Sequence, residues 1–192
     1  GLDVRLAKLR ELAKVVSILR QENHFMARLT VEQLVTFGRF PHSAGRLTQA
    51  DRRAIHAAIA FLDLSGFENR FIDELSGGQR QRAFVAMVLA QDTDYVLLDE
   101  PLTGLDMRHA VGMIGQVRAA ADALGKTIVL VIHDVNFAAA YADRIVALAD
   151  GRVIASGPPK EIITPEVLEL VFKTPVEVLE HDGKRVAVYY RP

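Results

Sequence analysis

No cysteine and no tryptophan occur among the 192 residues of this chain. The absence of cysteine removes disulfide frameworks and thiolate metal sites and fits a reducing compartment. No apolar run approaches the roughly 18 residues that a membrane-spanning helix requires, and "GLDVRLAKLR" does not read as a signal peptide; the expectation is that any membrane role comes through a partner. An excess of either charge is also missing. Lys and Arg total 23 against 24 Asp and Glu, a formal net charge of -1, which gives no global positive field and argues against nucleic acid as a partner. Position 1 carries Gly rather than Met, and the expectation is a sequence that begins inside a longer protein. Internal repeats and low-complexity segments are absent. What remains is a half-hydrophobic chain long enough to bury one sizeable core.

Hydrophobic periodicity divides the chain into alternating elements. Arg5 to Lys14 reads as a short helix, "VVSIL" (Val15 to Leu19) as a buried strand, and "RQENH" as a polar loop. Thr30 with Gln33 three positions on is a capping-box start for a helix ending at Phe37. "GRFPHSAGRLTQ" reads as a loop, and "ADRRAIHAAIAFLDL" has apolar residues at helical spacing. Further on, Gln79 to Gln91 predicts a helix, "YVLLDE" a strand ending in two carboxylates, Met107 to Leu124 a helix, "TIVLVIH" a strand, and Asp134 to Tyr141 a helix. "RIVALAD" and "GRVIASG" follow as strands, then "TPEVLELVF" as a helix, and Asp182-Gly183 between alternating apolar residues signals a hairpin. This alternation predicts a parallel α/β sheet.

In an open parallel sheet, ligands bind beyond the carboxyl ends of the strands. Three strands here end in groups suited to phosphate and metal: Gln21 after "VVSIL", Asp99 and Glu100 after "YVLL", and His133 after "TIVLVI". A carboxylate in such a place suits magnesium, and its neighbour suits the activation of a water for attack on a phosphoryl group. "LSGGQRQR" adds Ser76, Gly77, Gly78 and Gln79 before a helix, where unpaired backbone N–H groups and small residues admit an anion. Taken singly, each is an ordinary cap, loop start or solvated face. Their joint order along one chain is what carries information.

That order resembles the ATP-binding cassette (ABC) ATPases. "LSGGQRQR" looks like their signature motif, "YVLLDEP" like the Walker B strand with its catalytic Glu, and "LTGLD" like the D-loop; "VIHD" resembles the switch-histidine loop, and Gln21 in "ILRQEN" the Q-loop. The likeness runs from Leu2 to about Pro159, and "TVEQLVTFGRFPHS", "DRRAIHAAIAFLDL" and "VAMVLAQDTDYVLLDEPL" are most similar to the ATPase subunits of importers for iron complexes such as ferric siderophores. The resemblance implies a P-loop NTPase-like α/β fold, with an inserted helical subdomain over 27–74, a signature, Walker B and H-loop part over 75–159, and a C-terminal appendage over 160–192. It implies ATP and Mg²⁺ as ligands and head-to-tail dimers, in which Ser76 to Gln79 hold the γ-phosphate of a nucleotide bound mainly by the partner. In the chain's own site it implies Asp99 for magnesium, Glu100 for the attacking water, His133 for the γ-phosphate and Gln21 for metal and water, with Asp106 at the dimer interface. Permease subunits, and through them a substrate-binding protein, are the implied partners, at the cytoplasmic face of the membrane.

One family feature is not found. The P-loop reads G-x-x-x-x-G-K-[ST] between a strand and a helix, whereas Gly125-Lys126-Thr127 has Ala120 where the first glycine belongs and lies between a helix and a strand. The N-terminal β-rich part and its adenine-stacking aromatic are missing too. The expectation is an ABC ATPase lacking its front, inactive alone, with apolar sheet surface left exposed. The alternative is a non-catalytic module that docks on a permease or complements a complete cassette in trans. A DNA-repair cassette ATPase is disfavoured, because only a short helical block precedes the signature.

Overall fold

A computed structural model describes residues 3–21 and 27–190 of the chain. The end of the "RQENH" loop and residues 1 and 2 lie outside the described residues. The chain forms two compact units, residues 1–131 and 132–192.

The first unit is built on a three-stranded parallel sheet. The strands β1 (Val16–Leu19), β2 (Tyr95–Asp99) and β3 (Thr127–Val131) pair in the order β1-β2-β3, with Ile18 beside Leu97 and Leu97 beside Val129. Because side chains alternate across a strand, that register puts Ser17, Leu19, Val96, Leu98, Ile128 and Leu130 on one face. This face carries the core: Leu19, Val96 and Leu98 are almost fully buried. The opposite face leaves Ile18, Val129 and Val131 exposed. The apolar runs therefore read as strands buried on both sides, while the sheet buries one.

Helices pack on the covered face. A single turn, α1 (Leu9–Leu12), precedes β1 and is shorter than the helix expected from Arg5. The capping box at Thr30 forms as predicted and starts α2 (Val31–Phe37). The "GRFPHS" stretch, expected as loop, contains a short helix, α3 (Phe40–Ser43), with proline in its first turn, where a missing N–H costs nothing. Thr48 and Asp51 form a second capping box at the start of α4 (Gln49–Phe61). After a 3₁₀ turn at Ile72–Glu74, α5 (Gly77–Ala90) runs through the centre of the core, and α6 (Met107–Leu124) flanks it. Val31, Leu34, Val35, Ile55 and Ile59 share one cluster with Ala83, Val85, Leu89 and Leu98, so the helices of 27–74 and the signature helix are held by common packing.

Two polar devices fix the far end of α5. Arg39 is buried, pairs with Asp51 at 2.9 Å and donates from Nη1 to the Ala90 carbonyl; His42 Nε2 lies 2.9 Å from the Gln91 carbonyl. These groups occupy carbonyls that a helix end leaves without partners.

The second unit corrects part of the sequence reading. The strands of 145–157 do not extend the parallel sheet, while the hairpin expected at Asp182-Gly183 forms. β4 (Ile145–Ala149) and β5 (Arg152–Gly157) form an antiparallel pair, as do β6 (Glu177–His181) and β7 (Lys184–Val188). The connections explain this: Asp150-Gly151 and Asp182-Gly183 all have positive φ, which makes tight hairpin turns and leaves no room for a crossover helix. The helices α7 (Val135–Tyr141), α8 (Pro159–Ile162) and α9 (Pro165–Phe172) accompany them, and Ile163, Leu168, Val176 and Ala187 form the small core of this unit.

Candidate functional site

At the carboxyl end of the parallel sheet, Gln21 and Glu100, 79 positions apart, meet directly: Gln21 Nε2 donates to Glu100 Oε2 at 2.8 Å. β1 delivers Gln21 two residues past its last pair, and β2 delivers Asp99 as its final, exposed residue. Glu100 then leaves the strand with φ of 47°, a region that residues with a Cβ rarely occupy. Its backbone N–H donates to the Val131 carbonyl at 3.1 Å, extending the β2–β3 ladder by one bond and holding the turn. Thr103 Oγ1 donates to the same carboxylate oxygen at 3.0 Å. Two donors from separate segments therefore orient the Glu100 carboxylate. Thr103 was not singled out in the sequence; its position three residues after the strand-ending Glu was the available signal.

Ser76 to Gln79 form the N-terminus of α5. Ser76 is the N-cap: its hydroxyl accepts from Gln79 N, and Gln79 Oε1 accepts from Ser76 N at 3.0 Å. Gly77 is exposed with open space beside its Cα, and Gly78 is buried. Asp106 caps α6, accepting from His109 N at 2.9 Å, and its other oxygen lies 2.8 Å from His109 Nδ1. These bonds, the backbone one first, hold the Asp106 carboxyl below the usual carboxylate range. His109, absent from the predicted set, links two of its segments, because a Cβ built on Gly78 would fall 2.7 Å from the His109 ring.

The structure thus brings Gln21, Asp99 and Glu100 to one sheet end, and Gly78 and Asp106 to the two sides of His109. His133 belongs to the second unit, where it is exposed and precedes Asp134, the N-cap of α7. Gly125 has φ of 62° and closes α6 in the left-handed conformation, and Lys126 Nζ bonds Asp92 and the Thr93 carbonyl, each at 3.0 Å. This Gly-Lys-Thr is a helix stop with its lysine engaged. Among the described residues no three His, Asp or Glu side chains converge on a metal position. The oxygen donors at the sheet end are the Asp99 and Glu100 carboxylates and the Gln21 amide oxygen, a set that fits a hard cation which keeps water and phosphate in its shell.

Residues 1–103, more than half of the chain, match the family model described as ABC transporter. The chain belongs to the ABC transporter family. Two curated relatives agree: the petrobactin import ATP-binding protein FatE of Bacillus anthracis is 54% identical over 98% of this chain and 76% of its own length, and YclP of Bacillus subtilis (strain 168), with the same description, is 48% identical over 99% and 75%. Among solved structures, an ABC transporter of metal-chelate type in an inward-facing conformation superposes with a TM-score of 0.82 over 90% of this chain and 70% of that one, at 24% identity. At that identity the likeness speaks for the ABC ATPase fold alone. No helix among the described residues is long and apolar enough to cross a membrane.

Proposed function

We propose that this chain is the ATP-binding and ATP-hydrolysing part of an ABC importer that energises uptake of iron complexes, ferric siderophores in particular. The observation that carries the reading is the Gln21–Glu100 bond beside Asp99 at the end of a parallel sheet. Glu100, oriented by Gln21 and Thr103, is the base for the attacking water. Asp99 and the Gln21 amide oxygen hold Mg²⁺, which, when bound, neutralises charge developing on the β- and γ-phosphates. His133 contacts the γ-phosphate. Ser76, Gly77, Gly78 and Gln79 present the α5 N-terminus to a nucleotide bound by a second copy, with Asp106 at that dimer interface, because a helix N-terminus stabilises a phosphate wherever the phosphate is anchored. The petrobactin import role of both relatives supports the iron-complex cargo.

In this reading the dimer sits on permease subunits at the cytoplasmic face of the membrane, a substrate-binding protein acts through the permease, and the helices of 27–74 pass on the motion of closure. The 192 residues contain no G-x-x-x-x-G-K-[ST] segment, and Lys126 is engaged elsewhere. That observation favours a second reading, in which the chain lends its signature in trans or docks on a permease without hydrolysing ATP.

Iron uptake by cells lacking the gene separates these readings. Restoration of radioactive ferric-siderophore uptake by the wild-type gene but not by Glu100→Gln supports the importer ATPase. Equal restoration by both supports the non-catalytic module.

A further inference from the structure

The glycine turn of α5 carries no side chain to brace it, and its brace comes from α6. A Cβ at Gly78 would stand 2.7 Å from His109 Cδ2 and 3.0 Å from Cγ, whereas one at Gly77 would meet nothing within 4 Å. The Cδ2–Cγ edge of the imidazole therefore closes on the second residue of α5, where a Cβ could enter only by displacing the ring. On its other side the ring is anchored, with Nδ1 2.8 Å from Asp106 Oδ2, while the His109 backbone N–H holds Asp106 Oδ1. An ionised Asp106 only accepts hydrogen bonds, so Nδ1 is the donor, and a neutral His109 carries its proton there. Both helices are fixed beyond this point by buried Ala83 and Phe84 on α5 and by Ala110 and Met113 on α6.

We propose that His109 is a positioning residue for hydrolysis: its imidazole spaces the Ser76–Gln79 turn from Asp106, so that the two segments offered to a partner's nucleotide keep one geometry. The inference rests on the dimer reading above. Its physical basis is that a phosphate cradle made of backbone N–H groups has no side-chain adjustment with which to absorb a shift, and misplacement by about 1 Å costs on the order of a hundredfold in rate.

The test begins on the 192-residue chain itself, by magnetic resonance of its imidazole and amide groups. The neutral His109 ring is expected as the Nδ1–H tautomer. Asp106→Asn is expected to release that preference and to move the Gly78 and Gln79 amide resonances. In a His109→Ala background the same change is expected to leave those amides in place. A ring found as Nε2–H, or amide shifts of equal size with and without the ring, overturns the proposal.

Hydrolysis is then measured with a P-loop segment joined to the N-terminus. His109→Ala is expected to lower kcat about tenfold while KM for ATP stays within about twofold. Gly78→Ala is expected to be impaired more with His109 present than in the His109→Ala background, where the ring atoms at 2.7 and 3.0 Å are gone and the nearest neighbour is the residue-109 Cβ at 3.3 Å. A lowered melting temperature with unchanged kcat makes the ring merely structural and overturns the role. Hydrolysis insensitive to Glu100→Gln would instead defeat the functional reading, and it would leave the resonance coupling standing.

Discussion

Arg39 and Asp51 illustrate how single residues hold this fold. Their side chains are 10% and 5% exposed, so each charge relies on the other. Asp51 accepts from the Thr48 hydroxyl and backbone N–H, and with the Arg39 guanidinium these bonds lower its pKa from 3.8 to about 2 against the opposing effect of burial. Asp51→Ala leaves a buried guanidinium without its carboxylate and is expected to cost about 3 kcal/mol, read as a shift of the urea midpoint at unchanged slope. The sign of the pH dependence follows from the lowered pKa. The unfolded chain takes up the proton first, so this contribution is complete above about pH 4 and is lost as pH falls toward 2. Stability of Asp51→Asn is expected to change less than wild type between those limits. None of this was legible beforehand: "GRFPH" and "ADRR" read as a loop and a helix face, and nothing in either segment marks a pair formed across twelve positions.

At the scale of elements, local chemistry was legible where its cause was local. The Thr30 box, the Met107–Leu124 helix and the Asp182-Gly183 hairpin follow from capping and turn residues, and each forms where expected. Features set by tertiary approach were not readable. Gly38 ends α2 with φ of -57°, an ordinary helical value, yet a Cβ there would lie 2.0 Å from the Met87 carbonyl oxygen. The glycine serves the contact of α2 with α5, not the turn. Gly38→Ala is therefore expected to destabilise by about 3 kcal/mol through overpacking, although alanine is the better helix former. A melting temperature at or above that of wild type would contradict the close approach. The strands of 145–157, expected within the parallel alternation, pair antiparallel for a related reason: apolar alternation identifies a strand but not its neighbour.

At the largest scale, the parallel sheet of the first unit is asymmetric. Leu19, Val96 and Leu98 lie buried on one face while Ile18, Val129 and Val131 are 59%, 51% and 49% exposed on the other. An apolar face of this kind favours association. Ile18→Thr, Val129→Thr and Val131→Thr together keep β-branched residues in the strands and are expected to lower light scattering at high concentration with little change in melting temperature. Unchanged scattering would show that this face plays no part in association. The candidate site was legible in proportion to how far it was written as motif. Gln21, Asp99 and Glu100 were each visible as strand ends, but the direct bond between Gln21 and Glu100 and the support from Thr103 emerge only once the strands are paired.

ATP hydrolysis tests the central claim most directly, measured for this chain alone and again with a P-loop segment joined at its N-terminus, each with a Glu100→Gln control. The account predicts hydrolysis only in the extended protein and its loss with Glu100→Gln. Hydrolysis by the 192 residues alone, abolished by the same substitution, would contradict it, because a phosphate cradle other than the P-loop would then have to exist in this chain.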